Sequence, residues 1–369
     1  MKALVTCPFI PIVPRMASHR SAQGVIYADQ LRQTGKYGVV DINWSGKAHE
    51  DHNEYDHLYV YHGSDWGGTL NLFGGVQSFP YAWNIRNFSK FKGKVFSLGI
   101  DFPPYHEFIG NRISDAAKNG KEIQAEFQDT DLKNLERMHD EAETVLNPHV
   151  TSKLVIGDSH SICMYRPGWT VYSVPFKTLN GTLNLKEYDM HGNLYENFAC
   201  YIQKLLPIDQ VTDAEFYFGN IDVRHHLCRL EGSPVVSATD LAIRYVDAVE
   251  ALPISKVSIY ELLPIEDESR KLPKTGYYKG KPFWGSWDQR EHVRRVFNDA
   301  VKNYVRRAKF IEWTGYLKNA QGQLDFKFME KPHSIHLSRE FYPFWQGDKV
   351  INKVVTPTPD TSSLASFFV

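Results

Sequence analysis

No apolar run in this sequence approaches the roughly 20 residues a helix needs to cross a bilayer, so no membrane-spanning helix is expected. Cysteine is scarce as well. The 369 residues hold four, Cys7, Cys163, Cys200 and Cys228, widely spaced and without a C-x-x-C pair. That excludes a small disulfide-stapled secreted scaffold and points to reduced thiols in a cytoplasmic protein. Charge of one sign is missing too: 42 Lys and Arg stand against 43 Asp and Glu, a formal net charge of -1. Nucleic acid is therefore not indicated as a partner, although a local basic patch can hide under a neutral total. The glycine-rich stretch Gly63, Gly67, Gly68, Gly74 and Gly75 lacks both the G-x-G-x-x-G spacing and the P-loop lysine. H-E-x-x-H is absent as well. No cofactor and no metal are expected.

What is present describes an ordinary folded chain, 42% hydrophobic and 23% charged, with 14% aromatic residues that serve either a large core or a stacked-ligand site. The length predicts two domains. In residues 1 to about 150 strand and helix patterns alternate. The predicted elements are a strand at Lys2 to Phe9, a helix at Ser18 to Thr34 ending at Gly35, strands at Tyr37 to Trp44 and His57 to His62, a helix at Phe79 to Phe91, and a strand at Lys94 to Asp101. Pro8, Pro11 and Pro14 interrupt the apolar N-terminus, which reads as a strand and loop and not as a signal peptide. Leu132, Leu135, Met138, Ala142, Val145 and Leu146 recur at helical spacing, predicting a long amphipathic helix that stops at Asn147-Pro148. The expectation is a Rossmann-like α/β domain over 1–150.

A second α/β pattern covers 151–369. It predicts strands at Leu154 to Ile156, Thr170 to Val174, Glu215 to Phe218 and Lys256 to Glu261, and helices at Asn193 to Leu206, Ser237 to Ala251 and Arg290 to Lys309. The segment Leu263 to Trp287 breaks the periodicity and is expected to be a lid or binding loop. Arg294, Arg295, Arg306 and Arg307 on the basic helix read as a solvated face, with phosphate or partner binding as the sharper alternative.

Three strand ends carry the chemistry. Leu154-Val-Ile-Gly-Asp-Ser-His160 runs an apolar strand into a turn that exposes a serine, Phe216-Tyr-Phe-Gly-Asn-Ile-Asp-Val-Arg224 repeats the device, and Pro332-His-Ser-Ile-His336 supplies a late histidine. An open parallel sheet gathers its ligands at the carboxyl ends of its strands. Ester chemistry needs a hydroxyl, an imidazole to take its proton, and fixed donors where the oxyanion develops. Ser159 and His336 are the candidates for the first two. The Ser159 and Gly181 N–H groups and the Asn220 side chain are the candidates for the third.

This order, Gly157-Asp158-Ser159, then Gly181, then Gly219-Asn220-Ile221-Asp222, then Ile335-His336-Leu337-Ser338, resembles the SGNH (GDSL-like) hydrolase superfamily over residues 153 to about 345. The resemblance implies an SGNH-hydrolase-like three-layer α/β/α C-terminal domain that hydrolyses or transfers acyl groups through a serine ester. It further implies Ser159, His336, Gly181, Asn220 and Asp222 as catalytic residues, with Asp158, His160, Arg224 and His333 facing substrate. The expected ligand is a small acylated molecule such as an acylated sugar. Two departures stand out. The third block usually reads Gly-x-Asn-Asp, and the position three before the histidine, ordinarily aspartate, is His333. A Ser–His dyad, an acid from elsewhere (Glu330, Asp325 or Asp222), or loss of hydrolysis would each account for the second departure.

Other readings of single residues stay open. Asp158 serves a turn as readily as a site. Asp222 and Arg224 form a loop-holding pair or bind a substrate anion, and His225 and His226 in a strand would face opposite ways. Two further functions are kept beside the esterase or acyltransferase. One is a group-transferring or nucleotide- or nucleic-acid-modifying enzyme with a vestigial serine site. The other is a metal-dependent hydrolase using Asp158, His160, Asp222, His225, His333 and His336.

Overall fold

The computed structural model describes residues 1–6, 19–43, 52–61, 91–98, 137, 141–145, 148–174, 178–184, 187–188, 194–195, 198–270, 284–330 and 334–345. The chain divides into two compact units, one built on Met1–Ile12 and Arg20–His149, the other on Val150–Trp345. Each holds its own parallel sheet, so the class is α/β. Among the described residues no helix is long and apolar enough to cross a membrane.

In the first unit, strands β1 (Lys2–Thr6), β2 (Val39–Asn43), β3 (His57–Tyr61), β4 (Lys94–Leu98) and β5 (Glu143–Val145) form a sheet of order β2-β1-β3-β4-β5. Every pairing in it is parallel. Ala3, Leu4 and Val5 have no exposed surface, as expected of a central strand covered on both faces. Helix α1 (His19–Gln33) buries Val25, Ile26, Ala28 and Leu31. It ends where Gly35 takes φ +67° and returns its N–H to the Arg32 carbonyl, the usual glycine stop.

One sequence expectation fails here. The helix predicted through Leu146 gives way by Glu143, where Glu143, Thr144 and Val145 pair with Phe96, Ser97 and Leu98 as an edge strand. Of residues 132–142, Arg137, Glu141 and Ala142 are described, and the first two have helical backbone. The β-branched pair Thr144-Val145 gains more from the open edge of β4 than from continuing the helix. The glycine-rich stretch and the helix expected at Phe79 to Phe91 lie outside the described residues, apart from Phe91 itself.

The second unit is built on β6 (Lys153–Gly157), β7 (Thr170–Ser173), β10 (Asp213–Tyr217), β11 (Lys256–Tyr260) and β12 (Lys309–Ile311), in the order β12-β11-β10-β6-β7. These pairings too are all parallel. Strands β8 (Glu187–Tyr188) and β9 (Leu194–Tyr195) make a small antiparallel pair. The helices are α2 (Leu179–Leu183), α3 (Phe198–Leu205), α4 (Pro234–Glu250) and α5 (Trp287–Tyr304). Ser233 caps α4, and Ser286 with Gln289 forms a capping box on α5. Helices α4 and α5 pack on each other, with Tyr245 and Phe297 stacked at 6.4 Å.

Strand order reverses between β6 and β10, since β7 continues outward on one side and β11 on the other. A crevice opens at the carboxyl ends of strands at such a switch point. Ser159 follows β6, and Gly219-Asn220 follows β10.

Three further expectations are corrected. The helix predicted from Asn193 starts at Phe198, because Leu194 and Tyr195 pair with Tyr188 and Glu187. The start of the predicted lid is interior: Leu263, Ile265 and Glu266 have no exposed surface, and residues 271–283 lie outside the described set. Of the four arginines, Arg295, Arg306 and Arg307 lie at the solvated surface as expected, and only Arg294 leaves it. Arg294 is buried against Glu291 at 2.7 Å, Arg306 pairs with Asp247 and Glu250, and Arg307 donates to the carbonyls of Glu250, Leu252 and Ile254. Arg295 and Arg306 both keep their side chains 61% exposed, Arg295 while also reaching Glu291.

Candidate active site

Gly157 ends β6 where that strand lies closest to β10: a Cβ there would stand 2.2 Å from the Tyr217 carbonyl oxygen. Glycine is required by that approach. Asp158 N–H then donates to the same carbonyl at 3.2 Å, and the Asp158 carboxylate accepts from the His160 N–H at 2.9 Å as N-cap of a 3-10 helix, Ser159–Met164. The cap turns the chain sharply off the strand. Ser159 is left as the first helical residue, with an N–H that has no intrahelical acceptor.

The Ser159 Oγ lies 2.7 Å from His336 Nε2. These residues are 177 positions apart, and a chain reversal holds the histidine in place. Met329 and Leu337 form an antiparallel bridge, Glu330 N–H donates to the His336 carbonyl at 3.0 Å, and Ser338 N–H donates to the Phe328 carbonyl at 2.8 Å. Behind the imidazole, Ser334 Oγ lies 3.3 Å from His336 Nδ1 and donates to Glu330 Oε1 at 2.6 Å. Glu330 Oε1 is itself 3.6 Å from Nδ1. Glu330 and Ser334 are buried, while the His336 side chain keeps 16% of its surface exposed.

His160 forms one wall. Its ring centroid is 4.8 Å from that of His336, its Nδ1 lies 2.8 Å from Asp158 Oδ1 and its Nε2 3.2 Å from the Ile335 carbonyl. Burial holds this imidazole below its ordinary pKa against the upward pull of Asp158. The depression at the serine, about 190 Å³ including space open to solvent, is lined by Ser159, His160, Cys163, Leu263, His336, Leu337 and Tyr342. Polar and apolar groups share its lining in about equal measure. Cys163 and Cys228 are free thiols, and burial pushes both thiol pKa values up, so neither is an activated nucleophile.

The other sequence candidates sit elsewhere. Gly181 is inside α2, and its N–H goes to the capping Thr178 Oγ1 at 3.0 Å, so no free donor is presented there. Asn220 has no exposed surface. Its Oδ1 accepts from Leu263 N–H at 3.0 Å and from Arg224 at 3.2 Å, which binds the turn after β10 to the chain after β11. Asp222 is buried, and its carboxylate accepts from Leu179 N–H at 2.8 Å and Asn180 N–H at 3.1 Å, clamping the start of α2. Burial raises its pKa to about 6 against those two bonds. Arg224 does not pair with Asp222: it is fully enclosed and joins Glu266 at 3.0 Å. Asp158 is only 2% exposed and caps a helix. None of these five lines the depression with Ser159.

Asp222–His226 is helical backbone, so the strand rule for His225 and His226 does not apply. His225 is largely buried, which lowers its pKa to about 3. His333 lies outside the described residues. Among the described residues, no three His, Cys, Asp or Glu side chains are grouped as a metal ion requires. Sequence reasoning singled out Glu330 only as one of three possible acids and missed Ser334. A Glu-x-x-x-Ser-x-His run carries a signal only once the chain is known to reverse between its ends.

Neither a protein-family model nor a curated protein matches the chain. Among solved structures, a Streptococcus pneumonia protein provisionally described as a platelet activating factor is 16% identical, with a TM-score of 0.34, over 55% of this chain and 83% of its own. A second solved structure is 14% identical, with a TM-score of 0.32, over 55% of this chain and 96% of its own. Likenesses this low carry no argument about activity.

Proposed function

We propose that the second unit is a serine esterase or acyltransferase of SGNH type, with Ser159 as nucleophile and His336 as its base. The observation that carries this reading is the 2.7 Å contact between Ser159 Oγ and His336 Nε2 at the carboxyl edge of a parallel sheet, beside its switch point. In the proposed step Ser159 Oγ attacks the ester carbonyl while its proton passes to Nε2. The N–H of Ser159, at the helix start, faces the developing oxyanion. His336 returns the proton to the leaving alkoxide. Water or an acceptor hydroxyl then takes the acyl group by the same route in reverse.

The acyl group would rest on Cys163, Leu263, Leu337 and Tyr342, which line the depression. The smallness of the depression and its mixed lining suit a short acyl chain on a polar carrier, such as an acylated sugar. The test is turnover of a short-chain nitrophenyl ester by the wild type and by Ser159→Ala and His336→Ala. Each variant should lose at least ~10³-fold in kcat with its fold intact. Undiminished turnover by folded Ser159→Ala would remove the serine from the reaction.

A further inference from the structure

We propose that Glu330, acting through the Ser334 hydroxyl, is the carboxylate that orients His336 and stabilises its charged form, in place of the aspartate missing three residues before the histidine. This rests on the reading of Ser159 and His336 as nucleophile and base.

The hydrogen-bond inventory of Ser334 carries the argument. A serine hydroxyl has one proton to give and two lone pairs to receive with. A carboxylate can only accept, so the 2.6 Å contact to Glu330 uses the one Ser334 proton. The two lone pairs then face the His336 backbone N–H at 3.0 Å and His336 Nδ1 at 3.3 Å. Nδ1 must therefore carry the ring proton. Nε2 is left with its lone pair directed at Ser159 Oγ, the tautomer a base requires. At 3.6 Å, Glu330 Oε1 is beyond direct hydrogen-bonding reach of Nδ1. Its charge acts across the short gap, and its geometry acts through the hydroxyl.

The other carboxylates considered are committed elsewhere. Asp158 serves His160, Asp222 serves Leu179 and Asn180, and Asp325 caps Lys327. Glu330 is buried, where the field of a charge is little screened. The same chain reversal that presents His336 also fixes Glu330 and Ser334 beneath it. During acylation the Ser159 proton arrives at Nε2, Nδ1 keeps its own proton towards Ser334, and the imidazolium sits beside the Glu330 anion. Glu330 takes up no proton, and the positive charge disappears when Nε2 protonates the leaving group.

The experiment compares the full-length wild type with Glu330→Gln and Ser334→Ala on the short-chain ester, recording kcat and KM, with fluorophosphonate labelling of Ser159 in parallel. Removing the anion should lower kcat by about 10²-fold or more with KM within a few-fold. A fall in kcat without a matching rise in KM is the signature of an interaction made in the transition state, which a merely structural role would not give. Ser334→Ala retains the charge and should lose about 10-fold in kcat. Should Glu330→Gln not fold, Ser334→Ala still decides the matter, since a wild-type kcat there would remove the hydroxyl from the relay. If Ser159 labels normally in all three proteins while kcat stays at wild type, the proposal falls and the Ser159–His336 pair stands. If the wild type itself does not label at Ser159, both fall together.

Discussion

Arg224 and Glu266 form an ion pair from which water is entirely excluded: Nε lies 3.0 Å from Oε2, and neither side chain has any exposed surface. The guanidinium also donates to the carbonyls of Asn220, Leu263 and Pro264. One side chain thus ties the turn after β10 to the segment after β11. This is a structural post for the switch-point crevice, not a hand held out to substrate.

Arg224→Met should therefore destabilise the protein by about 3 kcal/mol, because it removes a hydrogen-bonded partner of the buried Glu266 carboxylate and leaves Arg270 and Arg290 as its near cations. Adding Glu266→Met should deepen the loss, because it removes the carboxylate that the buried Arg270 pairs with. Chemical denaturation reads both. A variant of wild-type stability whose ester KM rises would instead return Arg224 to a substrate-binding role.

Gly157→Ala tests the close approach of β6 to β10. The added Cβ meets the Tyr217 carbonyl carbon at 2.8 Å as well as its oxygen, and Ser161 Cβ at 2.9 Å. Backbone on one side and a helix on the other leave no soft direction of retreat. A loss of about 1–3 kcal/mol is expected, a fall in melting temperature of roughly 3–10 °C. An unchanged melting curve would contradict the strand spacing beneath the serine.

Glu250 supplies a pH signature of stability. Burial works to raise its pKa, but the N–H groups of Ala308, Arg307 and Arg306 and the Arg306 guanidinium outweigh it and hold the carboxyl down, at about 2. A carboxyl lowered in the folded state contributes stability above its unfolded value, near 4.5, and loses it as pH falls towards 2. Glu250→Gln should thus cost about 1 kcal/mol near pH 7, after allowing for screening at the surface. The difference from wild type should shrink between about pH 4.5 and pH 2. A difference that grows on acidification would reverse the assignment.

Much of this architecture is legible in the sequence, for a physical reason. Leu154-Val155-Ile156 and Ala214 to Phe218 are buried runs broken by glycine, and the pattern marks both the strands and the turns after them. The failures share a cause too, since each depends on partners that the pattern of apolar and charged residues does not reveal. Glu143 to Val145 forms a strand because β4 has a free edge. Arg294 is drawn inward because Glu261, after β11, joins Glu291 of its own helix, and charge counting along one helix does not see Glu261. The Gly181 N–H belongs to Thr178, a local cap that a motif built on glycine overlooks. Glu330 is hidden from pattern reading because its effect on His336 passes through Ser334.

On the proposed reading, His336 makes the Ser159 hydroxyl a nucleophile. The measurement that tests it most directly is labelling of the purified full-length protein with a fluorophosphonate, beside Ser159→Ala and His336→Ala, with the modified peptide identified by mass spectrometry. Labelling confined to Ser159, absent from Ser159→Ala and slowed at least ~10²-fold in His336→Ala, is the predicted result. Labelling at another residue, or equal labelling of Ser159 with and without His336, would contradict it.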